Sequence, residues 1–292
     1  MSLREVFDEI AEARKAHEWL LPMLLEELAS SRQVEPPKHD SWFSVSRVPV
    51  ACPRALVMIS RLGLPMTDNL TPKNRWAMDR GSAIHSVFQE RWLGPMGWLK
   101  GGWVCSYCAH MHGGKDQDLW SVRLENAVFL PEKCEKCEKK WNRFEPFSFV
   151  EPYSGHQAPI KVRGRNDGFL CLPGCGIEVM DLKTTSRLDL VKLAPKPDHV
   201  EQVQWYLDAE KLHRGRIVYM DPGAKTIEAS IVEHKIEFDP QLMHRQKERV
   251  IALRKALKDE ARPVPRCPNG GKGPYGDCDC VEVALLWART GH

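Results

Sequence analysis

Apolar positions recur at three- and four-residue intervals through residues 4–29, which predicts a helix interrupted near Pro22. A polar, proline-bearing link, SSRQVEPPKHD, follows; Ser44 and Ser46 then precede a second helical stretch, ACPRALVMISRLG, that carries Cys52. Thr71 and Pro72 form a cap and first-turn pair for a third helix running towards Trp92 and closed by Gly94, Pro95 and Gly97. Further on, IKVRGRNDGFL and GIEVMDLKTT predict two strands of a hairpin around the turn LPGC. The segment DHVEQVQWYLDAEKLH predicts a helix with Asp198 and Glu201 as an acidic capping box and Gly215 as its stop. Strands RIVYM and TIEASIVEHKIEF flank the turn DPGA, and a long helix is expected over about 240–260.

Between about Trp103 and Pro146 the periodicity breaks into short, turn-rich pieces studded with Cys, His and Lys. The expected organisation is therefore an N-terminal helical region over 1–43, a core built from 44–102 and 147–292, and an insertion over 103–146. The charge balance, 42 Lys and Arg against 39 Asp and Glu, excludes a polycationic tail protein and an acidic solubilising chain. No apolar run approaches the roughly 18–20 residues needed to span a bilayer. The opening MSLREVFDEIAEARK has no apolar signal core, so the expectation is an intracellular, cytoplasmic protein with no membrane partner.

In a reducing compartment the ten cysteines point to metal rather than disulfides. Cys105-Ser-Tyr-Cys108 and Cys134-Glu-Lys-Cys137 are paired CxxC knuckles, each able to supply two thiolates to a tetrahedral zinc ion. His110 and His112 lie nearby, but four cysteines already complete such a shell. A fragment this small has little core, so the metal would supply most of its folding free energy. Lys115, Lys133, Lys136, Lys139, Lys140 and Arg143, with Trp120 and Trp141, offer either phosphate and base contacts or a plain solvated face. Cys171 and Cys175 flank the hairpin turn and have no metal role in this reading.

The hairpin carries the chemistry. Asp181 and Lys183 are two apart on a strand and project to one face. With the turn centred on Gly174, Asp167 pairs with Asp181, their Cβ atoms about 4.5–5.5 Å apart. Two carboxylates that close repel unless a cation lies between them, and Mg²⁺ or Mn²⁺ prefers such oxygen ligands. A neighbouring lysine would orient or deprotonate a metal-bound water, which outlines phosphodiester hydrolysis. A one-residue slip would separate the acids, and a D-x-K triplet alone is far more often a solvated hairpin; the surrounding residues decide. Glu178 lies on the opposite strand face and reads as structural. Upstream, Gly81-x-x-x-His85 places a histidine on the third helix; downstream, Gln202 and Tyr206 share one helix face.

In this order, His85, GRND ending at Asp167, Asp181-Leu-Lys183 and Gln202-Val-Gln-Trp-Tyr206 resemble the RecB-like branch of the PD-(D/E)xK nuclease superfamily. The resemblance covers roughly 44–290 without the insertion. It implies an α/β restriction-endonuclease-like core, a central mixed sheet flanked by helices, to which a zinc-ribbon-like insertion and a helical N-terminal region are added. It also implies that His85, Asp167 and Asp181 bind Mg²⁺ or Mn²⁺, that Lys183 assists the water, and that Gln202 and Tyr206 support the lysine and the substrate strand. The implied activity is a DNA exonuclease acting on single strands or ends and leaving 5′-phosphates. A structure-specific or restriction-type endonuclease, and a vestigial nucleic-acid-binding adaptor, are the alternatives.

Cys52 precedes the core, in the context Cys-Pro-Arg, and Cys267, Cys278 and Cys280 follow it among glycines and prolines. This arrangement resembles the iron–sulfur staple of the CRISPR-associated exonucleases and the AddAB helicase–nuclease, which implies a [4Fe–4S] cluster on four thiolates. The C-x10-C-x-C spacing departs from the commoner one and leaves zinc open at that site.

Overall fold

The computed structural model describes residues 33–34, 41–46, 52–62, 66–67, 71–113, 122–140, 147–155, 160–259, 272–273 and 276–277. The expected helix over 4–29, the trio Cys267, Cys278 and Cys280, and Lys115, Trp120, Trp141 and Arg143 lie outside the described residues.

Along the chain, β1 (Gln33–Val34), β2 (Phe43–Ser44), α1 (Pro53–Leu62) and β3 (Met66–Thr67) lead to α2 (Pro72–Ser86), which continues as a π-helical segment, Val87–Leu93. Then come β4 (Leu99–Cys105), β5 (Met111–His112), β6 (Val128–Phe129), β7 (Phe147–Val150), β8 (Tyr153–Gly155) and β9 (Val162–Arg165). The hairpin β10 (Phe169–Leu172) and β11 (Gly176–Thr184) is followed by α3 (Pro197–Glu210) and β12 (Arg214–Met220). A single helical turn α4 (Ile227–Ser230), β13 (Ile231–Glu237) and the long α5 (Pro240–Lys258) follow.

The main sheet runs β13-β12-β11-β10-β4-β5, with β6 and β7 also paired to β4. Only β11 and β12 are parallel within it, as expected of strands joined by a helical crossover, here α3. Side chains alternate across β11 and β12, so each face buries its own set. Val179, Ile217 and Tyr219 pack on Val203 and Leu207 of α3 and, behind them, on Met243 and Val250 of α5. Met180, Leu182, Val218 and Met220 face the other way, towards Leu99, Leu170, Ile84 and Phe88. Each such buried side chain contributes about 1.5–3 kcal/mol. This is the expected α/β architecture, a central mixed sheet flanked by helices.

Local expectations fail in instructive ways. The stretch IKVRGRNDGFL is two strands: β9 belongs to a separate sheet, β2-β9-β8, and β10 to the main one. The break falls at the Asn-Asp-Gly triplet. Buried Asn166 donates from Nδ2 to Ser154 Oγ (2.8 Å) and accepts from the Gly168 N–H (3.0 Å). Gly168 takes φ +126°, and a Cβ there would lie 2.4 Å from Leu99 Cδ1. The acidic capping box on α3 does not form. Its N-cap is Lys196 with Pro197 in the first turn, so Asp198 already lies inside the helix. Gly215 does not stop that helix either; Lys211 does, in the left-handed conformation. Gly215 sits within β12, where a Cβ would come 2.9 Å from Val203 Cγ1. The segment expected as the strand TIEASIVEHKIEF opens with the turn α4, because Thr226 Oγ1 caps it by accepting from the Ala229 N–H. Finally, β4 runs from the main sheet straight through position 103, where the insertion is expected to begin.

Candidate active site and cysteine knuckle

The hairpin register is the predicted one: Phe169 opposes Val179 and Leu172 opposes Gly176, symmetric about Gly174. Beyond Phe169 the ladder loosens. The Asp167 N–H donates to Met180 O (3.0 Å) while Met180 N–H donates to Gly168 O (2.9 Å), so two residues of one strand meet one of the other. Asp167 is thereby turned out of the ladder, and its Oδ2 accepts from the Leu182 N–H. The acids are neighbours, as the sequence implies, but through this bulge rather than as a flat pair.

Asp181 and Lys183 face α3. Lys183 Nζ lies 3.1 Å from Asp181 Oδ1, 3.0 Å from its Oδ2 and 3.0 Å from Gln202 Oε1. Gln202 turns its Nε2 to Tyr206 Oη (2.6 Å), so the lysine fixes which way the amide points. Only the Oδ1 contact of Asp181 has hydrogen-bond geometry, and Oδ2 is left buried without a hydrogen bond. Burial pushes the Asp181 carboxyl up to about 6, against the pull of Lys183. Burial works against the Lys183 ammonium, yet Asp181 and Asp167 raise its pKa above the ordinary lysine value. Without a metal the lysine is therefore held as a cation. Burial places the Tyr206 hydroxyl well above its ordinary value, so it stays neutral.

His85 reaches the site from α2. Gly81, one turn earlier, lets this helix approach β11: a Cβ there would lie 3.0 Å from Thr184 Oγ1. His85 Nδ1 is 3.2 Å from Asp167 Oδ1 and 3.9 Å from Glu151 Oε1. The following π-helical segment turns buried Gln89 inward, and its Nε2 donates to Asp167 O (2.9 Å). Burial opposes the imidazolium, but Asp167 and Glu151 prevail and raise the His85 pKa to about 10. Asp167 is likewise held low despite burial, by His85, Lys183 and the Leu182 N–H, whereas burial raises Glu151.

Glu151 escaped the sequence reading. It follows β7, whose Phe149 N–H donates to Glu90 Oε1 (3.0 Å) and so ties the strand end to the π-helical segment. The donor atoms of His85, Glu151 and Asp167 all lie within 4.8 Å of one another, and Asp181 stands outside that group. An acid closing a short apolar strand, FSFV, was its only sequence signal. The donor set, one imidazole and two carboxylates, fits a hard divalent cation.

The two knuckles converge. Cys105 Sγ is 3.7 Å from Cys137 Sγ and Cys108 Sγ is 3.5 Å from Cys134 Sγ. A tetrahedral ion with about 2.3 Å metal–sulfur bonds needs edges of about 3.8 Å. The loops repeat one another: Cys105 N–H donates to His110 O and Cys134 N–H to Lys139 O, while Ala109 and Glu138 N–H return to the first cysteine carbonyl. Both Ala109 (φ 55°) and Glu138 (φ 59°) are left-handed, an unfavourable conformation for non-glycine residues that the shared turn imposes twice. Burial opposes ionisation of Cys134, but the N–H groups of Cys137 and Lys136 and the His112 ring bring it down to about 5. Cys108, although the His110 N–H lowers it, is pushed up to about 12 by burial and the other sulfurs. Brought this close, the four sulfurs could all be thiolates only with a cation between them, and their spacing fits one. His110, His112 and Glu135 form a second close group beside them. Cys52 is buried at the start of α1, and its expected partners lie outside the described residues.

No family model matches the sequence, and no curated protein does. Among solved structures, the chain is similar to the alkaline exonuclease LHK-Exo from Laribacter hongkongensis, with 12% identity over 85% of this chain and 93% of that one, TM-score 0.44. The same exonuclease in complex with dAMP gives 13% identity over 86% and 94%, TM-score 0.45. SSO0001 gives 18% identity over 82% and 86%, TM-score 0.38. The resemblance to RecB-like PD-(D/E)xK nucleases drawn from the motifs fits the geometry just described.

Proposed function

We propose that this chain is a divalent-metal-dependent deoxyribonuclease that hydrolyses phosphodiester bonds, working as an exonuclease on single strands or DNA ends. The observation that carries the reading is a half-buried lysine ammonium held between Asp181 and Gln202, with His85, Glu151 and Asp167 grouped close together nearby. His85, Glu151 and Asp167, with Asp181 Oδ2 alongside, would hold Mg²⁺ or Mn²⁺, which supplies a polarised phosphoryl oxygen and a more acidic water. Lys183 donates from a fixed position to the attacking water or to charge developing on the phosphate. Gln202, itself held by Tyr206, keeps the lysine from folding back onto Asp181 alone. Zinc at Cys105, Cys108, Cys134 and Cys137 stabilises the knuckle. A [4Fe–4S] cluster on Cys52, Cys267, Cys278 and Cys280, with zinc as the alternative there, closes the chain around the core.

The test is a timed digest of end-labelled single- and double-stranded DNA with Mg²⁺, Mn²⁺ or EDTA, using wild type, Asp181→Ala and Lys183→Ala. The wild type should cleave only with metal, and each variant should lose at least about 100-fold in rate while remaining folded. Cleavage in EDTA, or undiminished cleavage by both variants, would overturn the reading.

A further inference from the structure

The cysteine knuckle carries a further set of donors. The left-handed turn at Ala109 (φ 55°) leads the chain out of the first CxxC loop, and His110 and His112 follow it. Two apart on an extended segment, they share a face, and their rings meet edge-on with centroids 4.8 Å apart. The backbone fixes both. The Cys105 N–H donates to His110 O (2.9 Å), and His112 pairs with Trp103 of β4. A third donor comes from the other knuckle: Glu135 follows Cys134 directly in the second CxxC loop. One donor atom from each of the three residues lies within 4.8 Å of the other two.

Hydrogen bonding does not account for this grouping. His112 Nδ1 stands 3.8 Å from Glu135 Oε1, beyond hydrogen-bond range. His112 is only 5% exposed, and its Nε2 is buried with no hydrogen bond, which costs stability. The His112 ring also reaches the Cys134 sulfur, so the group lies directly beside the four cysteines.

We infer that His110, His112 and Glu135 form a second metal site, separate from the four sulfurs, for a divalent ion of the zinc type. Two imidazoles and a carboxylate suit zinc, copper or nickel rather than Mg²⁺ or Ca²⁺, which prefer a shell of oxygens. Three protein ligands leave a position to water, and the Glu135 side chain is 83% exposed. This ion is therefore held more weakly than one on four thiolates, and protein purified without added zinc should carry the first ion alone. The two sites fill in order. His110 and His112 follow one knuckle and Glu135 belongs to the other, so an ion on the four cysteines brings the second set of donors together. The second ion then ties β5 to the second loop.

The test is zinc uptake by the full chain, dialysed against buffered free zinc with Mg²⁺ in excess and read by elemental analysis. As free zinc rises, the wild type should gain about one ion per chain over its purified content. His110→Ala and Glu135→Gln should each weaken that uptake at least about 10-fold while keeping the first zinc. Glu132→Gln, which removes a neighbouring exposed carboxylate, should leave it unchanged. Replacing Cys134 and Cys137 together with Ser should abolish both ions, since Glu135 goes with its loop. Wild-type uptake in both His110→Ala and Glu135→Gln, or an equal loss in Glu132→Gln, would overturn the second site. Loss of the first zinc from either of those two variants would overturn it as well, by making the group part of the four-sulfur site.

Discussion

In the metal-free protein the proton on His85 occupies the place a cation would take, and displacing it sets the pH dependence of metal binding. With a pKa of about 10, His85 is protonated throughout the neutral range. The sign follows from the direction of the shift. The pKa is raised above 6.5, so the His85 contacts to Asp167 and Glu151 stabilise the metal-free fold fully below pH 6.5. That contribution is lost as pH rises through about 10. A metal ligand must be the neutral imidazole, so each divalent ion bound near pH 8 should release about one proton. Log affinity should then rise by about one per pH unit between pH 7 and 9. Below about pH 6 Asp181 is protonated as well, and the slope should steepen towards about two. Titration calorimetry with Mn²⁺ in two buffers of different ionisation enthalpy reads the proton release directly. His85→Ala should bind more weakly with almost no release in that range. A flat affinity between pH 7 and 9 in the wild type, with no proton released, would refute His85 as a protonated ligand.

Replacing Cys134 and Cys137 together with Ser should remove about one zinc per chain, read by elemental analysis, while the far-ultraviolet spectrum of the main sheet and helices persists; unchanged zinc would exclude the knuckle as its site. Arg123 Nε lies 2.9 Å from Glu210 Oε1, and that carboxylate is buried, with Leu124 N–H and Ser154 Oγ as its other donors. Arg123→Ala should therefore cost about 3 kcal/mol in urea unfolding, the lower end for a broken buried pair because the arginine is a third exposed. A loss below about 0.5 kcal/mol would show that the pair contributes no more than an exposed one.

The parts of the site legible in the sequence were those governed by short-range periodicity. Asp181 and Lys183 share a strand face, Gln202 and Tyr206 share a helix face, and the symmetry of a tight turn fixes the hairpin register. The CxxC knuckles were legible for the same reason, since the spacing is itself the geometry. What escaped depends on contacts between segments distant along the chain. Glu151 becomes a site residue only because Glu90 fixes the end of β7 beside α2. The bulge at Asp167 depends on Leu99 leaving no room for a side chain at position 168. Gly215 looked like a helix stop because a glycine near a helix end fits both roles, and only the packing of Val203 shows which one applies.

The strand β4 has a mechanical consequence. It leaves the main sheet beside Phe169, pairs with β7 from Gly102 to Cys105, and ends at a knuckle cysteine. On β7 the partner of Cys105 is Phe147, and the fourth residue beyond Phe147 is Glu151. At about 3.3 Å per residue, the thiolate cluster and the acidic site are the two ends of a lever about 13 Å long. Oxidation or emptying of the knuckle would loosen the far end of that lever. A displacement of Glu151 by even about 1 Å can cost on the order of 100-fold in rate. If the proposed site is the catalytic one, the state of the four cysteines at one end of β7 would bear on the position of Glu151 at the other.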